Sequence, residues 1–263
     1  STWHAAGGMH TINGDPNLAK LQLYTINIYK EIAEISGQDI GLHMTGGIML
    51  AATQERFDWL KSMHSKGRYM GMDTEIISPA EAKKIMPLIN PEHFVGGLHN
   101  TYEGHLDPYG TTWAYAKAAR KQGAEIHQHS RVTDLKLDRK GIWRVFMDSD
   151  STGERHEIQS EHVVNAGGLW AREVGRMVGL ELPVLAMEHM YLITEDLPEV
   201  IDFKQQHGKE IPHAVDFDGE LYLRQEQNGM LMGTYEKACK PWSPKETPWD
   251  FGQDLLPPDL DRI

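Results

Sequence analysis

The chain has a single cysteine, Cys239, among its 263 residues. That excludes an internal disulfide framework and fits a reducing compartment. No apolar run approaches the ~18 residues expected of a membrane span, and no signal-peptide pattern is present. Basic residues are few: 26 Lys and Arg stand against 38 Asp and Glu, for a net charge of −12. With no dense Lys/Arg run, neither nucleic acid nor a membrane is expected as a partner. Repeats and low-complexity segments are absent, which removes solenoid architectures. What remains is 40% hydrophobic and 24% charged, the balance of a soluble globular protein long enough for one large domain or two joined ones. Both ends look cut: the chain opens on Ser1 inside a loop and closes on what reads as a helix beginning.

The pattern predicts a mixed α/β fold. Asp15-Pro16 supplies an N-cap and a proline at N1 for an amphipathic helix stopped by Gly37. Segments 40–44 and 48–52 read as strands joined in a hairpin around Gly46-Gly47, although a glycine pair also permits close approach of a ligand. Thr53 caps a helix ended by Gly67. Ser78-Pro79-Ala80-Glu81 is a capping box for a short helix ending before Pro87. A strand at 94–99 precedes Asp107-Pro108, which starts a helix to Gln122. Its small face, Ala114 and Ala118, suits packing on a sheet, and a strand at 124–129 would complete a crossover onto a parallel sheet.

From Val132 the apolar period changes to two, and segments 132–137, 143–147 and 157–159 form an antiparallel meander. Val163-Val164-Asn165-Ala166-Gly167-Gly168 reads as a buried strand running through glycines into a helix over 169–178. Such an edge presents N–H groups to ligands in α/β folds. Strands at 187–194, 221–225 and 230–233 follow, the last two joined through Asn228-Gly229. The proline-rich tail, 241–263, is expected to be irregular.

The most informative stretch is Ser1-Thr2-Trp3-His4-Ala5-Ala6-Gly7-Gly8. An imidazole followed by four residues with almost no side chain lets the backbone approach a flat ligand, and such a histidine can be ligand, base or covalent anchor; a turn with an exposed histidine is the plain alternative. The other histidines show no metal-ligand spacing. His127 and His129 lie two apart with no third ligand nearby, so no metal is expected.

Segments 1–7, Gly104-His105-Leu106-Asp107-Pro108, 163–175, Glu188-His189-Met190-Tyr191 and Leu221-Tyr222-Leu223-Arg224-Gln225-Glu226 come in an order and spacing that resembles the dimethylglycine and sarcosine dehydrogenase family of flavoenzymes, within the D-amino-acid-oxidase-like superfamily. The resemblance spans essentially the whole chain. It implies a Rossmann-like FAD-binding domain (1–15 and 104–180) lacking its first βαβ unit, with an antiparallel-sheet substrate part (38–103 and 181–240). It also implies FAD joined covalently to His4, with Ser1, Thr2, Trp3, Ala5, Ala6, Gly7 and Gly8 wrapping the flavin. Val132 would meet the adenine, and Ala166 and Gly167 would lie at the sheet edge beside the cofactor. For Val132 a place in the strand core is an equal reading.

His189 and Tyr222 match residues on the substrate side. A base and a tyrosine there suit the deprotonation and orientation of an N-methyl amino acid, dimethylglycine or sarcosine, before hydride passes from the N-methyl carbon to the flavin. A structural histidine and a packing tyrosine are the competing readings, with Tyr191 as an alternative to Tyr222. Arg224 is either a carboxylate receptor or part of a structural ion pair. The implied electron acceptor is an electron-transfer flavoprotein or oxygen. Tetrahydrofolate would act only through a region beyond this chain. Location is the cytoplasm if bacterial and the mitochondrial matrix if eukaryotic. Gly7-Gly8 stands where the family has Gly-Leu. Two other readings stay open: another oxidase or dehydrogenase of the superfamily, such as a glycerol-3-phosphate dehydrogenase, and a regulatory relative without catalysis, resembling the pyruvate dehydrogenase phosphatase regulatory subunit.

Overall fold

Three of the helices begin on one device, an N-cap side chain followed by proline. Asp15 accepts from the N–H groups of Asn17 and Leu18, and Asp107 from those of Tyr109 and Gly110. Ser78 and Glu81 close a reciprocal capping box. Each cap satisfies donors that the first helical turn leaves unpaired, and proline at N1 forfeits none. The computed structural model describes residues 2–262.

In chain order the elements are β1 (Gly8–Met9), α1 (Pro16–Ser36), β2 (Gly47–Ala51), α2 (Gln54–Tyr69), β3 (Thr74–Ile77), α3 (Pro79–Ile85), β4 (Gly96–Asn100), β5 (Gly104–His105) and α4 (Pro108–Lys121). Then come β6 (Ser130–Leu137), β7 (Trp143–Ser149), β8 (Arg155–Ser160) and α5 (Ala171–Arg176). The chain continues with β9 (Tyr191–Ile193), α6 (Pro198–His207), β10 (His213–Asp216), β11 (Leu221–Glu226) and β12 (Gly229–Thr234). They form two compact units. The larger holds 2–123, 189–238 and 258–262, and the smaller holds 124–188 and 239–257.

The larger unit is built on a seven-stranded sheet ordered β3-β4-β2-β10-β11-β12-β9. Among its described pairs only β2–β10 is parallel. All five residues of β2 are buried, because both of its faces are covered. Ile48 and Leu50 join Met86, Val200, Phe203 and Ile211 on one side, with α3 and α6. Met49 and Ala51 join Leu60, Met63 and Leu98 on the other, with α2. This is the expected period-two sorting of side chains. The smaller unit carries the antiparallel meander β6-β7-β8. Its irregular segment 239–257 is held by polar contacts rather than by strands. Arg172, 8% exposed, bonds the carbonyls of Ser243 and Pro244 and pairs with Glu173, whose carboxylate also accepts from Thr247 N–H. The bonds to the Glu173 carboxylate converge on Oε1, and Oε2 is buried without a hydrogen-bond partner.

The mixed α/β class, the meander and the three helix starts with a capping side chain before proline are as expected from sequence. Several local expectations are corrected. Segment 40–44 is not a strand: Gly41 takes φ 54° and only His43 makes a bridge, to His105. The predicted hairpin at Gly46-Gly47 is therefore absent, and β2 pairs with β4 and β10 instead. Gly67 lies inside α2, and the left-handed stop is Gly71, φ 80°. Ala114 and Ala118 pack with Ile32 and Ile40, a helix-on-helix contact in place of helix on sheet. Segments 124–129 and 163–168 are not strands. Residues 124–129 are all exposed, Val164 is 86% exposed, and neither segment has a hydrogen-bonded neighbour strand among the described residues. The β11–β12 turn is Gln227-Asn228, with Gln227 at φ 55° and Gly229 already paired to Glu226. Helix α6 and strands β3 and β10 were not foreseen.

Met86 is fully buried between the sheet and α3. Met86→Ala is expected to lower unfolding stability by about 2–5 kcal/mol in urea titration. A change under about 1 kcal/mol would mean that this core does not form.

Candidate functional site

The amino-terminal stretch is a tight turn. Thr2–His4 is a single 3-10 turn closed by Ala5 N–H to Thr2 C=O. The rings of Trp3 and His4 meet edge to face, 4.5 Å between centroids. Trp3 Nε1 and His4 Nδ1 are both buried with no hydrogen-bond partner. Burial lowers the His4 pKa from its ordinary value, so the imidazole is neutral and its lone pair available. Gly7 is obligatory here: its φ is 75°, and a Cβ would stand 2.1 Å from the Leu106 carbonyl oxygen. That close approach lets Leu106 N–H reach Gly7 C=O at 3.0 Å and lets β1 pair with β5. Ser1 lies outside the described residues. Thr2, Ala5 and Gly8 are exposed, while Ala6 is partly buried.

Tyr222 and Arg224 lie two apart on β11, hence on one face of the sheet. The strand registers add His213 of β10 to that face, through Val215 opposite Tyr222. Gly233 opposite Tyr222 has no side chain, and a Cβ there would overlap the Tyr222 ring, 2.2 Å from its hydroxyl oxygen. Tyr222 touches Tyr235, ring centroids 5.2 Å apart, and Tyr235 touches His189 at 5.1 Å. The structure thus brings the two predicted substrate-side residues together through Tyr235, which sequence reading missed. Burial, reinforced by Tyr235 and Tyr191, pushes the Tyr222 pKa up to about 12. It is a hydrogen-bond donor at neutral pH, not a base.

Arg224 is held through two of its three nitrogens. Its Nε donates to Ala6 C=O at 2.6 Å, and Nη1 bonds Gln225 C=O and the Glu226 carboxylate. It is a structural ion pair that ties the His4 turn to the strand carrying Tyr222.

Val132, Ala166 and Gly167 belong to the smaller unit. Val132 is a partly buried strand residue opposite Met147, beside a bulge at Thr133. Ala166 is exposed. Gly167 donates to Asn165 Oδ1, and a Cβ on it would lie 3.2 Å from Ala171 backbone.

A second constellation had no sequence signal. His10, Glu103 and His213, up to 203 positions apart, meet beneath the sheet face that carries Arg224. Glu103 is 1% exposed. Burial pushes its pKa up, but hydrogen bonds from His10 and His213 outweigh burial and hold the carboxyl well below the usual range. Burial keeps His213 neutral, against the pull of Glu103. Beside this group, His43 and His105 stack with centroids 4.8 Å apart, and His43 also pairs with Glu210. Glu103 directly precedes the Gly104-His105 motif; His10 and His213 had no spacing to reveal them.

The family model described as DAO, FAD dependent oxidoreductase, matches residues 1–262. The chain is 38% identical over its full length to rat mitochondrial dimethylglycine dehydrogenase and 31% identical over 96% of its length to human mitochondrial sarcosine dehydrogenase. It spans only 30% and 27% of those two proteins. Among solved structures it is similar to L-proline dehydrogenase from P. horikoshii, with a TM-score of 0.75 at 22% identity, covering 99% of this chain and 63% of that one.

Arg224→Met removes the tie between the turn and β11. Amide exchange over 5–9 is expected to quicken about tenfold or more while β2 and β4 stay protected. Unchanged exchange in the turn would show that Arg224 does not hold it.

Proposed function

We propose, given that this chain belongs to the FAD dependent oxidoreductase (DAO) family, that it is part of a flavoenzyme oxidising an N-methyl amino acid of the dimethylglycine or sarcosine type. One observation carries the reading: the His4 turn and the Tyr222 strand are bonded to each other through Arg224. On this reading a cofactor-side turn and a substrate-side strand are joined by one side chain.

The residues present fit a flavin. Trp3 Nε1 and His4 Nδ1 are polar atoms out of water with no protein partner, and a bound polar ring system would satisfy them. Gly7 keeps the turn drawn against Leu106. On this reading His4 is the covalent anchor, residues 1–8 wrap the ring, and Val132, Ala166 and Gly167 meet the rest of the cofactor. The cofactor-holding part draws on 1–15 and 104–180, and the substrate part on 38–103 and 181–240. When bound, FAD supplies the acceptor for the electron pair and hydrogen of the substrate C–H bond.

The chain's own side chains do the preparatory work. His189 takes a proton from the substrate ammonium at an imidazole nitrogen, leaving the amine lone pair that drives the oxidation. Tyr222, protonated, donates a hydrogen bond that orients the substrate. Arg224 acts first as a structural tie, through its Nε and Nη1. Electrons pass on to an electron-transfer flavoprotein or to oxygen, and any tetrahydrofolate capture of the one-carbon unit happens outside this chain. The reading fits a mitochondrial matrix protein in a eukaryote and a cytoplasmic one in a bacterium. No described helix is long and apolar enough to cross a membrane.

In the full-length protein, flavin fluorescence is expected to stay with the polypeptide after acid precipitation and to be lost from it in His4→Ala. Acid release from the parent would remove the covalent assignment, and absence of flavin from the parent would remove the enzyme reading. Tyr222→Phe is expected to lower kcat/KM for dimethylglycine about ten- to a hundredfold. The deficit should be constant up to about pH 10, since the phenol, with a pKa of about 12, stays protonated there. A parent profile that loses the advantage of Tyr222 below pH 9 would contradict this role.

A further inference from the structure

The cluster of His10, Glu103 and His213 is not used by the oxidation proposed above. Its donor atoms form a nearly equilateral triangle. His10 Nδ1 lies 3.3 Å from Glu103 Oε2, His213 Nε2 lies 3.2 Å from the same oxygen, and the two nitrogens are 3.2 Å apart. Hydrogen bonds can fill two of its sides, each imidazole N–H using one lone pair of Oε2, and they leave the third as two donor nitrogens 3.2 Å apart with no bond between them.

A cation accepts all three lone pairs at once. Tetrahedral zinc with bonds of about 2.0–2.1 Å sets its donors about 3.3 Å apart, whereas an octahedral face with bonds near 2.1 Å sets them about 3.0 Å apart. The triangle matches the tetrahedral spacing.

We propose that His10 Nδ1, Glu103 Oε2 and His213 Nε2 form a site for a divalent zinc-class metal ion. The surroundings bury two of the three ligands and orient the carboxylate, while His213 Nδ1 is itself buried with no hydrogen-bond partner. Glu103 and His213 have side chains 1% and 5% exposed. Glu103 Oε1 is oriented by Thr11 N–H at 3.1 Å and Asn100 Nδ2 at 2.9 Å, the outer-shell support that ligating carboxylates need. Gly47 leaves the space beside the donors: a Cβ there would stand 2.3 Å from Oε2 and 2.4 Å from His213 Nε2. The fourth position lies toward His10, whose side chain is 34% exposed, and water fills it. The three ligands come from the segment after β1, the β4–β5 connection and β10, so the ion pins the amino-terminal segment to the main sheet. Because the donors are at 10, 103 and 213, no local motif announces them, and the absence of a metal expected from histidine spacing is replaced by this site.

The test uses zinc alone as the probe on the full-length protein. After chelator treatment and dialysis against zinc, elemental analysis is expected to find one equivalent bound at this site, and zinc is expected to raise the melting temperature. His10→Asn, chosen because its side chain is partly exposed, should fold, weaken zinc binding at least about tenfold and abolish the thermal shift; Glu103→Gln should do the same. X-ray absorption of the zinc-loaded parent should show two imidazoles and one carboxylate oxygen at about 2.0 Å in a four-coordinate shell. Failure of the parent to bind zinc, parental affinity in His10→Asn, or a shell without two imidazoles would each overturn the proposal. The absorption measurement identifies the donor set, and zinc binding retained in His43→Asn but lost in His10→Asn assigns it to this triangle, since His43, His105 and Glu210 offer the same donors. Loss in His43→Asn with retention in His10→Asn would overturn the proposal.

Discussion

The buried carboxylate of Glu103 is the constraint on which the larger unit depends. An ionised carboxyl taken out of water costs several kcal/mol unless its lone pairs are filled. Here Thr11 and Asn100 serve one oxygen, and His10 and His213 face the other. Those four partners come from three separated parts of the chain. Satisfying one charge therefore brings the amino-terminal segment, the end of β4 and the start of β10 to one point. The parallel pairing of His213 with Gly47 follows from the same convergence, since only glycine leaves room beside the two donor atoms.

From that point the sheet divides its faces. One buries aliphatic side chains under α3 and α6. The other is aliphatic where α2 covers it, and beyond that Val215 and Leu231 stand among His213, Arg224 and Tyr222. The second half of that face mixes polar and aromatic groups with aliphatic ones, the composition of a ligand-facing surface. Arg224 holds the His4 turn against it by charge-assisted bonds, so the position of the turn is set by the strand and not by its own short sequence. Glycine serves the same purpose twice: Gly7 lets the turn reach Leu106, and Gly233 makes room for the Tyr222 ring.

Legible in the residues alone are the local signals whose physics is complete within a few positions. The caps at Asp15, Ser78 and Asp107 act within one helical turn. The period of two over the meander reports half-buried strands that pair with their own neighbours, and the family resemblance rests on contiguous segments. All of these can be read without knowing what lies across the fold. Whatever needs a distant partner was settled in the folded chain. Segment 163–168 has strand composition but pairs with no strand among the described residues. Ala114 and Ala118 are small enough for a sheet or a helix, and Ile32 on α1 settles the choice. The meeting of His10, Glu103 and His213, and the link from Tyr222 through Tyr235 to His189, join residues too far apart for spacing to encode. The reason is that side-chain chemistry is written locally, whereas burial and donor convergence are properties of the folded chain.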